Sequence, residues 1–179
     1  MVSRFDGCLV PDERLGGLSG ALSWPVPRGV RAHAVGLLSR LSLVESGVGG
    51  ECIDWLGIAS GAEPQRRLFV EGLVSLFERK SAEGCRCVVV CGDVYRADCR
   101  MPNGTEVVGM ADAVALSGLI GRAVRIVCRS GYSTIMDLRA VGRTAVLVPT
   151  PGQGEQEYLA ERMREFGFTS VCQAEMQQI

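Results

Sequence analysis

The stretch VRIVCRSGYSTIMDLRAVG, residues 124–142, decides how the rest of the chain is read. An apolar run ends at Cys128. Arg129, Ser130, Gly131, Ser133 and Thr134 follow within six positions, and the pattern then turns helical as far as Gly142. A short, wholly apolar run bounded by small residues reads as a buried strand. A helix that stops at glycine follows the usual C-terminal rule. The order is therefore strand, hydroxyl- and glycine-rich loop, helix.

The same order recurs on both sides. CIDWLGI (52–58) is a strand candidate, broken by ASGAEP (59–64), with Pro64 placed as an early helix residue. QRRLFVEGLVSLFERK follows, with Leu68, Phe69, Leu73, Leu76 and Phe77 as an apolar stripe. RCVVVC (86–91) and TEVVGM (105–110) are strands. DAVALSGLIG (112–121) is a helix capped by Asp112. TAVLVP (144–149) is a strand, and GEQEYLAERMREFG (154–167) is a helix with Leu159, Met163 and Phe166 on one face. TSVC (169–172) adds a last short strand. Alternation of helices with continuous apolar strands marks a parallel sheet covered on both faces. The expectation is a Rossmann-like, doubly wound α/β domain over residues 51–179.

Residues 1–50 differ. VPDERLGGLSGALSWPVPRGV (10–30) holds three prolines and several glycines, RAHAVGLLSRL (31–41) offers a short strand, and ESGVGGE (45–51) is a turn. This segment reads as a connector or the edge of something larger.

At 179 residues and a net charge of −1, the chain has no broad drive towards nucleic acid or an anionic membrane. No apolar run approaches the roughly 18 residues of a membrane span. Eight cysteines occur without a CxxC pair. Strand alternation puts Cys85, Cys87 and Cys91 on one face with no partner ligands, which favours buried reduced thiols over a metal. Unpaired cysteines without a secretory signal point to a reducing cytoplasm.

In an open parallel sheet ligands bind beyond the carboxyl ends of the strands. Three loops belong there: 59–64, 129–134 and 149–157. Helix starts offer unpaired N–H groups and partial positive charge, and small residues let an anion approach. Ser60, Gly61, Ser130, Gly131, Ser133, Thr134, Gly152 and Gly154 fit that role; ordinary turn chemistry favours the same residues. The chain has no GxxxxGK[ST], GxGxxG or GxSxG motif. The single histidine, His33, lies in the irregular leading segment, where a structural role is expected. Asp137, three residues after Thr134, either complements the helix dipole or accepts from sugar hydroxyls. Gln156 and Glu157 open a helix beside a Pro-Gly loop, where they serve either the helix start or a hexose.

CRSGYSTIMDLRAVGRTAVLVPTPGQGEQEYLAERM (128–163) resembles the C-terminal, nucleotide-sugar half of family 28 glycosyltransferases, which have a GT-B fold. SGAEPQR (60–66) resembles that family's first loop. The resemblance implies a diphosphate at Ser60, Gly61, Ser130, Gly131, Ser133 and Thr134, and ribose hydroxyls on Asp137. It implies a base against backbone groups of Val108, Gly109 and Met110, and a sugar at Pro151, Gly152, Gln153, Gln156 and Glu157. It further implies inverting transfer from a UDP-linked donor, with no metal or cofactor and no nucleic acid. RFDGCLVPDE (4–13) resembles the last strand of an acceptor domain. The implied partner is that N-terminal half, on the same or a separate chain, holding the protein at the inner face of the membrane. A sugar-nucleotide epimerase fragment and a non-catalytic nucleotide-binding subunit are the alternatives. Arg129 is given no role beyond pairing at the surface.

Overall fold

The computed structural model describes residues 5–14, 16–41 and 49–179. In chain order the strands are β1 (Cys8–Val10), β2 (Ala32–Ala34), β3 (Ile53–Ile58), β4 (Cys87–Val90), β5 (Cys99–Arg100), β6 (Glu106–Val108), β7 (Ala123–Cys128), β8 (Val146–Leu147) and β9 (Thr169–Ser170). The helices are α1 (Gln65–Ala82), α2 (Ala113–Arg122), α3 (Tyr132–Ala140) and α4 (Gly154–Arg162).

β3 to β9 form one sheet in the order β5-β6-β4-β3-β7-β8-β9. Every neighbouring pair is parallel except β5 with β6. The two-residue antiparallel edge β5 has no counterpart in the sequence expectation. The central strands β3, β4 and β7 read as mainly apolar runs because both faces are covered, with Asp54 and Arg125 as the charged positions. Leu56, Ile58, Val88, Val90, Ile126 and Cys128 point into one cluster, and Trp55, Cys87, Val89, Cys91 and Val127 into the other. The first cluster is closed by α2, α3 and α4 through Leu116, Ile120, Ile135, Leu138 and Leu159. The second is closed by α1 and the C-terminal 3-10 turn, through Phe69, Leu73, Leu76, Phe77 and Met176. Each fully buried Leu or Phe contributes roughly 1.5–3 kcal/mol. Gly57 is required here: a Cβ would press on Leu73 and Phe77 of α1.

Two terminal signals behave as expected. The Asp112 carboxylate accepts from the Ala115 N–H at 2.8 Å and caps α2. Gly142, at φ +67°, ends α3, with its N–H on Arg139 O and the Arg143 N–H on Leu138 O. Pro64 stands one position earlier than expected, as the N-cap of α1. Leu68 departs from the expected stripe and is exposed, because the buried face of α1 runs through Phe69, Val70, Leu73, Leu76 and Phe77.

The leading segment packs on α3 and α4. Tyr132 Oη donates to Pro11 O, and Arg162 donates to Leu18 O and Gly17 O. The Ala21 N–H donates to Tyr158 Oη. Asp12 is buried and accepts from the N–H groups of Glu13, Leu18 and Ser19 and from the Ser19 hydroxyl. Burial pushes its carboxyl up, and these bonds outweigh it and hold the carboxyl below the usual range. The expected strand within 31–41 is β2, paired in parallel with β1. His33 lies on β2 and is exposed. Most of the turn expected at 45–51 lies outside the described residues. Cys87, Cys91 and Cys128 are buried, whereas Cys52 is exposed; among the described residues no cluster of metal-ligand type occurs. No helix among those residues is long and apolar enough to cross a membrane.

Candidate functional site

The chain winds leftwards from β3 through β4 to β6, then crosses by α2 to β7 on the other side of β3. The loops after β3 and β7 therefore diverge at the centre of the sheet, which is where an open α/β fold leaves a crevice. A cavity of about 500 Å³ occupies that place.

Its walls come from three strand ends, three helices and the leading segment. Ser60 and Gly61 follow β3, Gly92 follows β4, and Met110 and Ala111 follow β6. Ser133, Thr134 and Asp137 project from α3, and Leu116 and Ile120 of α2 form the apolar floor. Leu38 and Arg40 of the leading segment form one rim, and Arg66 of α1 another.

The three helix starts differ in charge. At α1, Glu63 Oε2 accepts from the Arg67 N–H at 3.2 Å, so a carboxylate of the chain already serves that start. The first turn of α4 carries Glu155 and Glu157. The first turn of α3 carries no acid, and its N-cap, Gly131, provides no side-chain cap. The starts of α1 and α3 both border the cavity, and that of α3, with no competing negative charge, suits an anion best.

Asp137 stands one turn further along α3. Its Oδ1 accepts from Ser39 Oγ at 2.6 Å, and its Oδ2 lies 3.9 Å from Arg40 Nε. On the opposite wall Arg66 Nε and Nη2 both donate to Glu63 Oε1, at 3.0 and 2.8 Å, and Nη1 donates to Gly92 O. The hydrogen bond from Arg66 holds the Glu63 carboxyl below its ordinary range. Gly92 has φ +66°, and a Cβ there would stand 2.7 Å from Ala59 O.

Of the residues expected from sequence, Ser60, Gly61, Met110, Ser133, Thr134 and Asp137 line this one cavity. Gly131 sits beside it as the cap of α3. Ser130 does not face it: its hydroxyl is fully buried and donates to Gln156 O at 2.8 Å. Val108 and Gly109 are not in the lining, and their backbone groups are engaged. Val108 O accepts from Cys91 N, Gly109 O accepts from Asp93 N, and the Gly109 N–H donates to Asp98 Oδ1.

The residues expected at 151–157 lie outside the cavity and bind their own loop. Gln156 Oε1 accepts from the Thr150 N–H, Gln156 Nε2 donates to Gln153 Oε1, and Glu157 Oε1 accepts from the Gly152 N–H. Arg129 is not a surface residue. It is 1% exposed, donates to Val148 O, Pro149 O and Gln65 O, and stacks 4.2 Å from the Phe69 ring centroid.

Sequence reasoning missed Arg66, Gly92, Leu38 and Arg40. Arg66 carries a usable signal, a cation at the second position of the helix after a Ser-Gly loop. The other three come from a loop and a connector with no periodicity to place them.

Residues 76–175 match the model of the glycosyltransferase family 28 C-terminal domain. Two curated relatives share the name UDP-N-acetylglucosamine--N-acetylmuramyl-(pentapeptide) pyrophosphoryl-undecaprenol N-acetylglucosamine transferase. The protein of Methylorubrum extorquens (strain PA1) is 47% identical over 45 residues, 25% of this chain and 12% of its own length. That of Desulforudis audaxviator (strain MP104C) is 43% identical over 54 residues, 29% of this chain and 14% of its own length. Among solved structures, the glycosyltransferase SnogD from Streptomyces nogalater superposes with a TM-score of 0.51 at 15% identity, covering 82% of this chain and 39% of that one.

Proposed function

Since the chain belongs to the glycosyltransferase family 28 C-terminal domain family, we propose that it is the donor-binding half of a GT-B transferase that takes a sugar from a uridine diphosphate carrier. The observation that carries this reading is the cavity itself. An acid-free helix start and a helix-borne carboxylate, Asp137, border one crevice at the point where the strand order reverses.

The donor diphosphate lies against the first-turn N–H groups of α3 and the hydroxyls of Ser60, Ser133 and Thr134. The ribose hydroxyls donate to Asp137 in place of Ser39. The base lies on the Met110–Ala111 side, against the apolar wall from α2. The sugar points towards the loop 151–157, whose Gln156 and Glu157 must release their own backbone to reach it. As the glycosidic bond breaks, negative charge grows on the leaving diphosphate, and fixed N–H dipoles stabilise it without having to reorganise. Inversion requires the acceptor hydroxyl to attack from the opposite face. The base that deprotonates it belongs to an acceptor half, on the same or a second chain, which also sets any approach to the inner membrane face.

The leading segment supports such a half. Among the described residues β1 and β2 form a parallel pair of two strands, with Leu9 70% and Phe5 70% exposed. Parallel strands are ordinarily covered on both faces.

Calorimetric titration of this chain with uridine diphosphate is expected to show one site, and assays with UDP-N-acetylglucosamine to show no turnover without an acceptor half. Absence of binding at millimolar nucleotide contradicts the donor-site reading. Sugar transfer by the isolated chain contradicts the assignment of the base elsewhere.

A further inference from the structure

Arg129 is the largest fully buried side chain described, and the mechanism above gives it no task. Its guanidinium meets carbonyl oxygens, and among the described residues no carboxylate pairs with it. Burial lowers its pKa to about 10, so it stays charged at neutral pH. A buried charge without a counter-charge is costly unless its donors are well used.

The partners show how the donors are used. Arg129 itself lies in the β7–α3 loop, two residues before the α3 cap. Gln65 O, at 3.3 Å, belongs to the first residue of α1, just after the loop that carries Ser60 and Gly61. Val148 O and Pro149 O, at 3.1 and 3.3 Å, open the β8–α4 loop. Phe69, one turn along α1, fixes the plane of the fork. One planar group thus joins the three loops at the carboxyl edge of the sheet. Lysine cannot do this, because a point charge has neither the fork nor the stacking face.

We propose that Arg129 is a positioning residue of the donor site, holding the Ser60–Gly61 loop and the start of α3 at the separation that a diphosphate spans. This rests on the donor-site reading above. Once donor is bound, the first loop and α3 close on the two phosphates together. A nucleoside monophosphate, with one phosphate, depends less on that spacing.

The test compares uridine diphosphate with uridine monophosphate by calorimetry, in the wild-type chain, Arg129→Met and Arg129→Lys, with thermal melting alongside. Arg129→Met is expected to bind the diphosphate about tenfold more weakly and the monophosphate within about twofold of wild type. Arg129→Lys keeps the charge but not the bridge, and is expected to lose about threefold for the diphosphate. A purely structural role lowers the melting temperature and the binding-competent fraction, and leaves the affinity ratio of the two nucleotides unchanged. A wild-type ratio in either folded variant overturns the proposal. Should Arg129→Met fail to fold, Arg129→Lys decides alone. A wild-type chain that does not prefer the diphosphate contradicts the donor-site reading itself, and this inference with it.

Discussion

Replacing Asp137 with alanine is expected to weaken uridine diphosphate binding about 30-fold and to leave the fold intact. The loss corresponds to about 2 kcal/mol, the scale of hydrogen bonds to a charged group. The carboxylate lines the cavity with its side chain 17% exposed, and Ser39 Oγ already occupies one oxygen at 2.6 Å. In the proposed complex two vicinal ribose hydroxyls take the place of one serine hydroxyl and engage both oxygens. Stability falls by about 1–2 kcal/mol through the lost bond with the Ser39 hydroxyl, while the ion pair with Arg40 adds little because it is long and Arg40 is largely exposed. Asp137→Asn keeps the shape and one acceptor but loses the charge, so about fivefold is expected. Calorimetry and thermal melting of the two variants check this. Wild-type affinity in a folded Asp137→Ala sinks the ribose assignment.

Alanine at Gly109 is expected to destabilise the protein by about 3 kcal/mol, the upper range for forcing atoms into a packed site. A Cβ there would overlap the Arg96 carbonyl oxygen and stand 3.0 Å from Asp93 O. Both obstacles are backbone, so no side chain can swing aside. The residue is also held on both sides, by its N–H on Asp98 and its carbonyl under the Asp93 N–H. At roughly 2–4 °C per kcal/mol for a chain of this size, the melting temperature falls by about 9 °C. Gly118 and Gly121 of α2 have open space where a Cβ would go, so alanine there is expected to stabilise by up to about 1 kcal/mol. Opposite signs at these glycines separate a steric requirement from a general cost of substitution. A neutral Gly109→Ala contradicts the rigid link between the 92–98 loop and the strand end beside the cavity.

The features legible in the sequence share one cause, a local pattern with a single physical meaning. β4 is readable because an apolar run covered on both faces has no polar interruption, and β3 and β7 are readable because only Asp54 and Arg125, in their first halves, break the run. Asp112 and Gly142 were readable because helix ends have specific chemical needs. β5 was not, since its two residues pair with β6 and Cys99 and Arg100 carry no periodicity. The site divides in the same way. Ser133, Thr134 and Asp137 follow from helix spacing after a strand. The burial of Arg129 does not, because its carbonyl partners lie 19, 20 and 64 residues away and only the fold brings them together. Three loops looked alike on paper. The placement of Glu63 over the α1 start, and of Gln156 and Glu157 on their own loop, distinguishes them only in three dimensions.

Amide chemical-shift mapping of the 179-residue chain during titration with uridine diphosphate tests the central claim most directly. The expected result is that shifts concentrate at Ser60, Gly61, Gly92, Ala111 and residues 131–137, around the cavity where the strand order reverses. Saturating shifts confined to α4 and the 3-10 turn that follows it, around Tyr158 and Glu165, with the α3 start unmoved, would contradict it.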